Sequence, residues 1–346
     1  MVPAEQAGAY PLVSVIIPTF NRRAELAGLL ECLGHQTMPE RSFEIIVVDD
    51  GSTDDTRAFL RARAEKGETN LRFCTQENSG PGAARNRGMR MARAPLYAFT
   101  DTDCRPYPDW LEVLTACLGE TGVGAVGGAE AAESEAGPLA AAIHFCMTSV
   151  LTTGGMRGRS GMTLARYYPR TFNMAITREA FRQTGGFRAL FHGEDVELSF
   201  RIRQAGFVLR YSDAARVCHK RRQSLKAFFA QVFHMGEARV TLARLHPQLL
   251  EPAHVFPAAA LIAGAALAGL AYVRPFFIPF LAAGGGAALL VFVGAGCAAV
   301  KKTGNAAQLF CVPCAFACQQ LAYGCGLVCG LLKWLLCNRR PPATVR

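Results

Sequence analysis

The stretch Glu44-Ile45-Ile46-Val47-Val48-Asp49-Asp50-Gly51-Ser52 decides the fold class. Four consecutive β-branched aliphatic residues read as a strand buried on both faces, which is how strands of parallel sheets read. The strand runs straight into two carboxylates and a Gly-Ser turn. Outward from it, Val13–Ile17, Leu71–Thr75 and Leu96–Thr100 repeat the pattern, with helical sequence beginning near Arg22, Thr53 and Gly82. Such alternation predicts βαβ units, hence an α/β domain with a mostly parallel sheet flanked by helices. A Gly/Ala/Glu-rich stretch, Gly127–Gly137, predicts a loop between two halves of the domain.

Composition divides the chain near residue 250. The 346 residues are 51% apolar and only 18% charged, below the roughly 25% typical of soluble domains, which points to membrane-embedded sequence. Residues 251–346 hold one acidic residue, Glu251, against Arg274, Lys301, Lys302, Lys333, Arg339, Arg340 and Arg346. More than half of the net charge of +10 therefore lies in an otherwise apolar tail, where membrane topology explains it better than nucleic-acid binding. Fibrous and largely disordered classes are excluded by the absence of repeats, charge blocks and polar low-complexity tracts.

Ala253–Val273, Pro275–Val300 and Thr303–Leu332 are three uncharged runs, each long enough to cross a hydrocarbon core of about 20 residues' depth. The short link at Arg274-Pro275 predicts a tight hairpin, and Gly284-Gly285-Gly286 predicts close approach of its helices. With a cytoplasmic N-terminal domain, Lys301 and Lys302 agree with the positive-inside rule after two crossings. A third crossing would place Arg339, Arg340 and Arg346 outside, so that segment either spans or lies re-entrant or along the interface. No charged start with an apolar core precedes Tyr10, which predicts no signal peptide, a cytoplasmic domain and reduced thiols. Cys311, Cys314, Cys318, Cys325 and Cys329 form one helical stripe, with Cys337 beyond it; it reads as a helix contact of small polarizable side chains, or as a metal or redox site. Ser224–Leu245 reads as an amphipathic helix, lying either at the membrane face or on the domain surface.

Ligands of open α/β sheets bind at the carboxyl ends of strands, and three polar clusters stand there: Pro18-Thr19-Phe20-Asn21-Arg22, Asp49-Asp50-Gly51-Ser52 and Asp101-Thr102-Asp103. Together they predict one cleft. Ser52, Thr53 and Asp54 read as turn and cap residues. Asp101 and Asp103 could reach one hard cation, Mg²⁺ or Mn²⁺, beside substrate phosphates. In Asn78–Gly88, Gly80 and Gly82 open a helix suited to a phosphate, and Arg85 adds a charged donor fork. Glu194-Asp195 opens another helix, Asp195–Gln204, and Asp195 could take a proton from an acceptor hydroxyl. His219 could complete a metal shell or bond nearby backbone. Arg157, Arg159, Arg166 and Arg170, with Tyr167 and Tyr168, form a basic loop that either meets a phosphorylated ligand or is merely solvated.

In order and spacing these motifs, with Gly185-Gly186-Phe187, resemble family 2 glycosyltransferases over about residues 12–235. The resemblance implies a GT-A nucleotide-diphospho-sugar transferase fold and a metal-dependent, inverting transfer. It places Pro18, Thr19, Asn21, Asp49, Asp50, Arg85 and Asp101 around the donor, with Asp101, Asp103 and His219 at the metal. Asp195 would then be the catalytic base and Glu194 would lie on the acceptor side. The expected organisation is a GT-A domain over 1–235, a juxtamembrane linker over 236–252, about three transmembrane helices over 253–337 and a basic tail over 338–346. The partners it implies are a nucleoside-diphosphate sugar, a lipid-linked or envelope-polysaccharide acceptor and the inner membrane, in which the chain sits multi-pass. The Gln-x-x-Arg-Trp of processive synthases is missing, since the only tryptophans are Trp110 and Trp334, which favours addition of one sugar. Nucleotidyl transfer is a rival, but Pro18–Arg22 lacks its glycine-rich loop. A nucleotide-sugar-binding membrane scaffold or translocation subunit is the non-enzyme alternative.

Overall fold

The computed structural model describes residues 11–66, 70–131, 137–149, 153 and 167–337. Eight strands form one sheet in the order β3-β2-β1-β4-β7-β6-β8-β5. They are β1 (Val13–Thr19), β2 (Phe43–Asp49), β3 (Leu71–Thr75), β4 (Leu96–Phe99), β5 (Cys104–Pro106), β6 (Val123–Ala131), β7 (Met174–Thr177) and β8 (Val208–His219). The first four are parallel neighbours, as their continuous apolar runs predict. Beyond them the sheet is mixed, because β7 enters antiparallel to both β4 and β6 while β8 runs parallel to β6.

Alternation along β1 sends its side chains to two cores. Val13, Val15 and Ile17 pack with Leu26 and Leu29 of α1 (Arg23–Gly34) and Trp110 and Leu114 of α4 (Trp110–Leu118). Ile16 joins Met89 of α3 (Pro81–Met91) and Leu198 and Ile202 of α7 (Glu194–Gln204) on the other face. Helices α2 (Thr56–Glu65), α5 (Pro138–Thr148) and α6 (Arg178–Thr184) complete the domain.

The loop expected over Gly127–Gly137 is a strand as far as Ala131. The glycines signal crowding there, not a turn: a Cβ on Gly127 would strike the Tyr167 hydroxyl and one on Gly128 the Ala215 carbonyl. Residues 132–136, Arg157, Arg159 and Arg166 of the basic loop, and Arg339, Arg340 and Arg346 lie outside the described residues.

Ser224 caps α8 (Leu225–Leu245) by accepting from the Ala227 amide. This helix runs through residue 235. Three long helices follow, α9 (Pro252–Val273), α10 (Ile278–Thr303) and α11 (Gln308–Cys337), each long and apolar enough to cross a membrane. They do not form a simple bundle. Gly296 near the end of α10 meets Leu309 and Pro313 of α11, while Pro257 and Leu261 near the start of α9 meet Gly324. The two feet of the hairpin thus stand on α11 about 15 residues apart, roughly 20 Å at 1.5 Å per residue. Gly284, Gly285 and Gly286 have nothing within contact distance of a Cβ, so the expected close approach occurs at these feet instead.

Helix α11 also lies along the α/β domain. Its first residue, Gln308, donates to the Pro138 carbonyl at the head of α5, and its last turns reach Glu237 and Arg244 of α8. Glycines let α8 and α11 touch backbone to backbone: Gly236 against the Tyr323 carbonyl and Gly326 against that of Phe233. The buried Phe228 and Val232 show that the apolar stripe of α8 serves this packing, leaving Leu225 and Phe229 exposed. Of the cysteine stripe, Cys314 and Cys325 are exposed and the glycines carry the closest contacts.

Candidate active site

Because β1, β2 and β4 are parallel, their carboxyl ends share one edge, and a cleft of 430 Å³ opens there. Pro18, Thr19, Asp50, Arg85, Asp101, Asp103 and Glu194 line it. Asn21 and Asp49 do not. Asn21 adopts a left-handed φ of 52°, and its side-chain oxygen accepts from the Thr53 amide at 2.7 Å, clamping the β1 loop to the β2 loop. The wholly buried Asp49 accepts from the Ser52 amide at 2.9 Å. Both are turn locks, and the polarity that marks a ligand site at a strand end equally marks a turn. Ser52 and Asp54 serve the same joint, accepting from the Asn21 and Thr56 amides.

Asp50 faces the cleft with its carboxylate engaged: it accepts from the Gln76 side chain at 2.7 Å, the Ser79 amide at 2.9 Å and the Gly80 amide at 2.8 Å. The start of α3 is therefore held by a carboxylate of the protein itself. Arg85, 3% exposed, reaches across the cleft floor to Asp101 at 2.7 Å and Glu194 at 3.0 Å. One guanidinium thus ties the two halves of the domain together. Buried charges of this kind are stable only while each is answered.

Asp103 meets His219 through strand pairing. Cys104 of β5 sits opposite His219 of β8, bringing the imidazole to 3.5 Å from the Asp103 carboxylate. The Phe172 ring stacks on the imidazole with centroids 5.0 Å apart. On its other side stands Glu130, 3.5 Å from the second ring nitrogen and paired with the buried Arg221. Burial opposes a charged imidazole, but Asp103 and Glu130 outweigh it and lift the His219 pKa to about 9. Burial likewise opposes ionisation of Asp103, yet His219, Arg22 and Arg222 hold its carboxyl below the usual range.

Asp103, Cys104 and His219 offer ligand atoms within 4.8 Å of one another. Carboxylate and imidazole together suit a divalent ion such as Mn²⁺. Cys104 is fully buried, and its sulfur is a softer ligand than such an ion favours; burial also pushes its thiol well above its ordinary pKa. The Asp101 carboxylate, in salt bridge with Arg85, stands outside this ligand set.

Gly193 enters α7 with φ 81°, and a Cβ there would lie 2.9 Å from Leu242 of α8. This turn presents Glu194 to the cleft and Asp195 beside it, 3.4 Å from Arg170. Burial and the neighbouring Asp195 charge push the Glu194 pKa up to about 7 against the pull of Arg85. The chain just before Gly193 puts Phe191 and His192 on the cleft rim.

Sequence reasoning missed Glu130, Arg222, Phe191 and His192. Glu130 lay in the stretch read as a loop, and only the register of β6 against β8, Glu130 opposite Val217, reveals it. Arg222, three residues after His219, lines the cleft without belonging to any strand-end cluster.

The description glycosyl transferase family 2 belongs to the family model that matches residues 14–192. Glycosyltransferase AglE of Haloferax volcanii is 30% identical over 231 residues, covering 66% of this chain and 73% of that protein. Validoxylamine A glucosyltransferase of Streptomyces hygroscopicus subsp. limoneus is 30% identical over 240 residues, 58% of this chain, which spans only 50% of its length. The solved mannosyltransferase PcManGT from Pyrobaculum calidifontis, in complex with GDP-Man and Mn²⁺, superposes with a TM-score of 0.60 at 21% identity. That alignment covers 95% of this chain and 88% of the other, a likeness of fold extending through the helical tail.

Proposed function

The chain belongs to glycosyl transferase family 2, and from that premise we propose a membrane-anchored, inverting transferase that moves one sugar from a nucleoside-diphosphate sugar to a lipid-linked acceptor. The carrying observation is that one cleft collects Thr19, Asp50, Asp101 and Asp103 from strand ends and Arg85 and Glu194 from two helices, all far apart in sequence. A nucleoside diphosphate is the ligand such an edge suits. Pro18 and Thr19 line its nucleoside side and Arg85 and Asp101 its floor.

Asp103 and His219 would hold Mg²⁺ or Mn²⁺, as the metal in the PcManGT complex encourages. Such an ion, when bound, neutralises charge on the diphosphate leaving group. Glu130 fixes the ring orientation of His219 through its other nitrogen. Asp195 takes the proton of the acceptor hydroxyl as that oxygen attacks the anomeric carbon from the face opposite the diphosphate, so configuration inverts in one displacement. Glu194, anchored to Arg85, lines the acceptor side.

Membrane attachment follows from where α11 lies. Its two ends contact α5 and α8 of the same domain, so a crossing by α11 would carry Glu237 and Arg239 of α8 into hydrocarbon, at several kcal/mol each. We therefore read α9 and α10 as the spanning hairpin and α11 as a helix along the cytoplasmic interface. Lys301, Lys302 and the C-terminal arginines then fall on one side, as the positive-inside rule requires. Green-fluorescent and alkaline-phosphatase fusions after Arg346 test this: fluorescence without phosphatase activity is expected, and the reverse contradicts it. The chemistry is tested by metal-dependent release of nucleoside diphosphate from a panel of nucleotide sugars, which Asp195→Asn should abolish while donor binding persists.

A further inference from the structure

Just before Asp195 the chain forms a lip between two hollows. On one side is the donor cleft; on the other is a larger cavity of 610 Å³, walled by residues 189–192, by α8 and by the last turns of α11, and Phe191 and His192 line both. Resting on the transferase reading above, in which Asp195 is the base, we propose that Arg170 is its positioning residue: the guanidinium holds one carboxylate oxygen and leaves the other to take the proton of the acceptor.

The two oxygens of Asp195 are not equivalent. Oδ1 accepts from the Val196 amide at 2.7 Å and faces Nη1 of Arg170 at 3.4 Å. Oδ2 has no hydrogen-bond partner among the described residues. An oxygen already facing two N–H donors is the poorer proton acceptor, because those bonds occupy its lone pairs and stabilise its charge. The acceptor hydroxyl therefore finds its base in Oδ2. The neighbouring Glu194 is held in the same manner by Arg85 at 3.0 Å, so the first turn of α7 carries two adjacent carboxylates, each met by an arginine from a different part of the chain.

Arg170 can position a partner because its own backbone is fixed. It pairs with Asn173 across a two-residue turn, and the Asn173 amide donates to the Arg170 carbonyl at 2.9 Å. The Asn173 side chain accepts from the Trp110 indole at 2.8 Å and donates to the Ala129 and Ala215 carbonyls at 3.0 and 2.8 Å. These bonds tie the turn to α4, β6 and β8. On the same segment Tyr168 packs in one cluster with Leu242 of α8 and with Leu249, just ahead of α9, while Thr171 lines the donor cleft. Arg170 thus stands between the foot of the membrane hairpin and the cleft. Its side chain is 19% exposed and that of Asp195 15%, a setting in which a charge pair keeps more of its strength than it would in open water.

A double-mutant cycle on nucleoside-diphosphate release by the detergent-solubilised full chain tests the assignment, with the nucleotide sugar that wild type cleaves and a membrane lipid extract as the source of acceptor. Arg170→Gln is expected to lower kcat about 10- to 100-fold while the Michaelis constant for the donor stays within about twofold. Arg170→Lys, which keeps a cation beside Oδ1, should recover most of that loss. In an Asp195→Asn background Arg170→Gln should cost nothing further, since a residue that acts through the base then has nothing to position. An equal loss in both backgrounds overturns the proposal, as does full activity in Arg170→Gln. Loss of nucleoside-diphosphate binding in Arg170→Gln also overturns it, because Arg170 is then a support of the fold. These three results leave the transferase reading standing; a wild-type chain that cleaves no nucleotide sugar ends that reading and the proposal with it.

Discussion

The donor cleft and the cavity beside it are built by opposite means. The cleft is cut into the edge of a parallel sheet, and its carboxylates are held by side chains and amides brought there by strand register: Asp50 by Gly80, Asp101 by Arg85, Asp103 by His219. The cavity is a gap between two helices and a loop, where glycine contacts set the floor and long side chains, Arg244, Lys333 and Trp334, set the walls. Sheet edges fix atoms and so suit the step where charge moves. Helix gaps are bounded by long side chains and hold their walls less tightly.

If that division is right, damage on one side should leave the other intact. The largest effect is expected from Asp103→Ala, which removes a carboxylate from the metal set and should lower turnover on the order of 10³-fold or more, the equivalent of several kcal/mol. Manganese binding followed by electron paramagnetic resonance should fall with it. Asp195→Asn is expected to cost about 10³-fold in turnover with donor affinity retained, read from single-turnover kinetics. Loss of donor binding would instead make Asp195 part of the cleft.

Glu130→Gln sharpens the comparison from behind the site. It leaves the cleft lining untouched yet should weaken manganese affinity 10- to 100-fold, because His219 loses its orienting carboxylate.

The smallest effect concerns stability. Glu197 of α7 is fully buried, and although burial opposes its ionisation, Arg201, His246 and Arg188 hold its carboxyl below the ordinary range. A carboxyl with a depressed folded-state pKa contributes stability that is whole above its unfolded value, near 4.5, and is lost as pH falls through the folded value. The melting temperature followed by circular dichroism should therefore drop below about pH 4.5, and Glu197→Gln should flatten that slope.

How legible each region was follows from the same contrast. The cleft could be read because a strand end is contiguous in sequence, so Pro18-Thr19, Asp49-Asp50 and Asp101–Asp103 announced themselves as clusters. The same local reading could not separate Asn21 and Asp49, whose side chains lock turns beside the cleft, from the residues that line it. Glu130 was hidden because its meaning depends on two strands 89 residues from it to His219, and its glycine neighbours imitate a loop. The cavity was not legible at all: it joins residues near 191, 240 and 333, and no single stretch carries its pattern. The tail's apolar runs were plain, but length and hydropathy are the same for a spanning helix and for one laid along a domain; the proposal for α11 rests on the contacts of Gln308 and Lys333.

The most direct test is release of nucleoside diphosphate from GDP- and UDP-sugars by the solubilised chain, with Mn²⁺ and with or without a membrane lipid extract, in wild type, Asp103→Ala and Asp195→Asn. Release from one donor, stimulated by the extract and lost in both variants, is the predicted result. Undiminished release in either variant would contradict the account of the cleft.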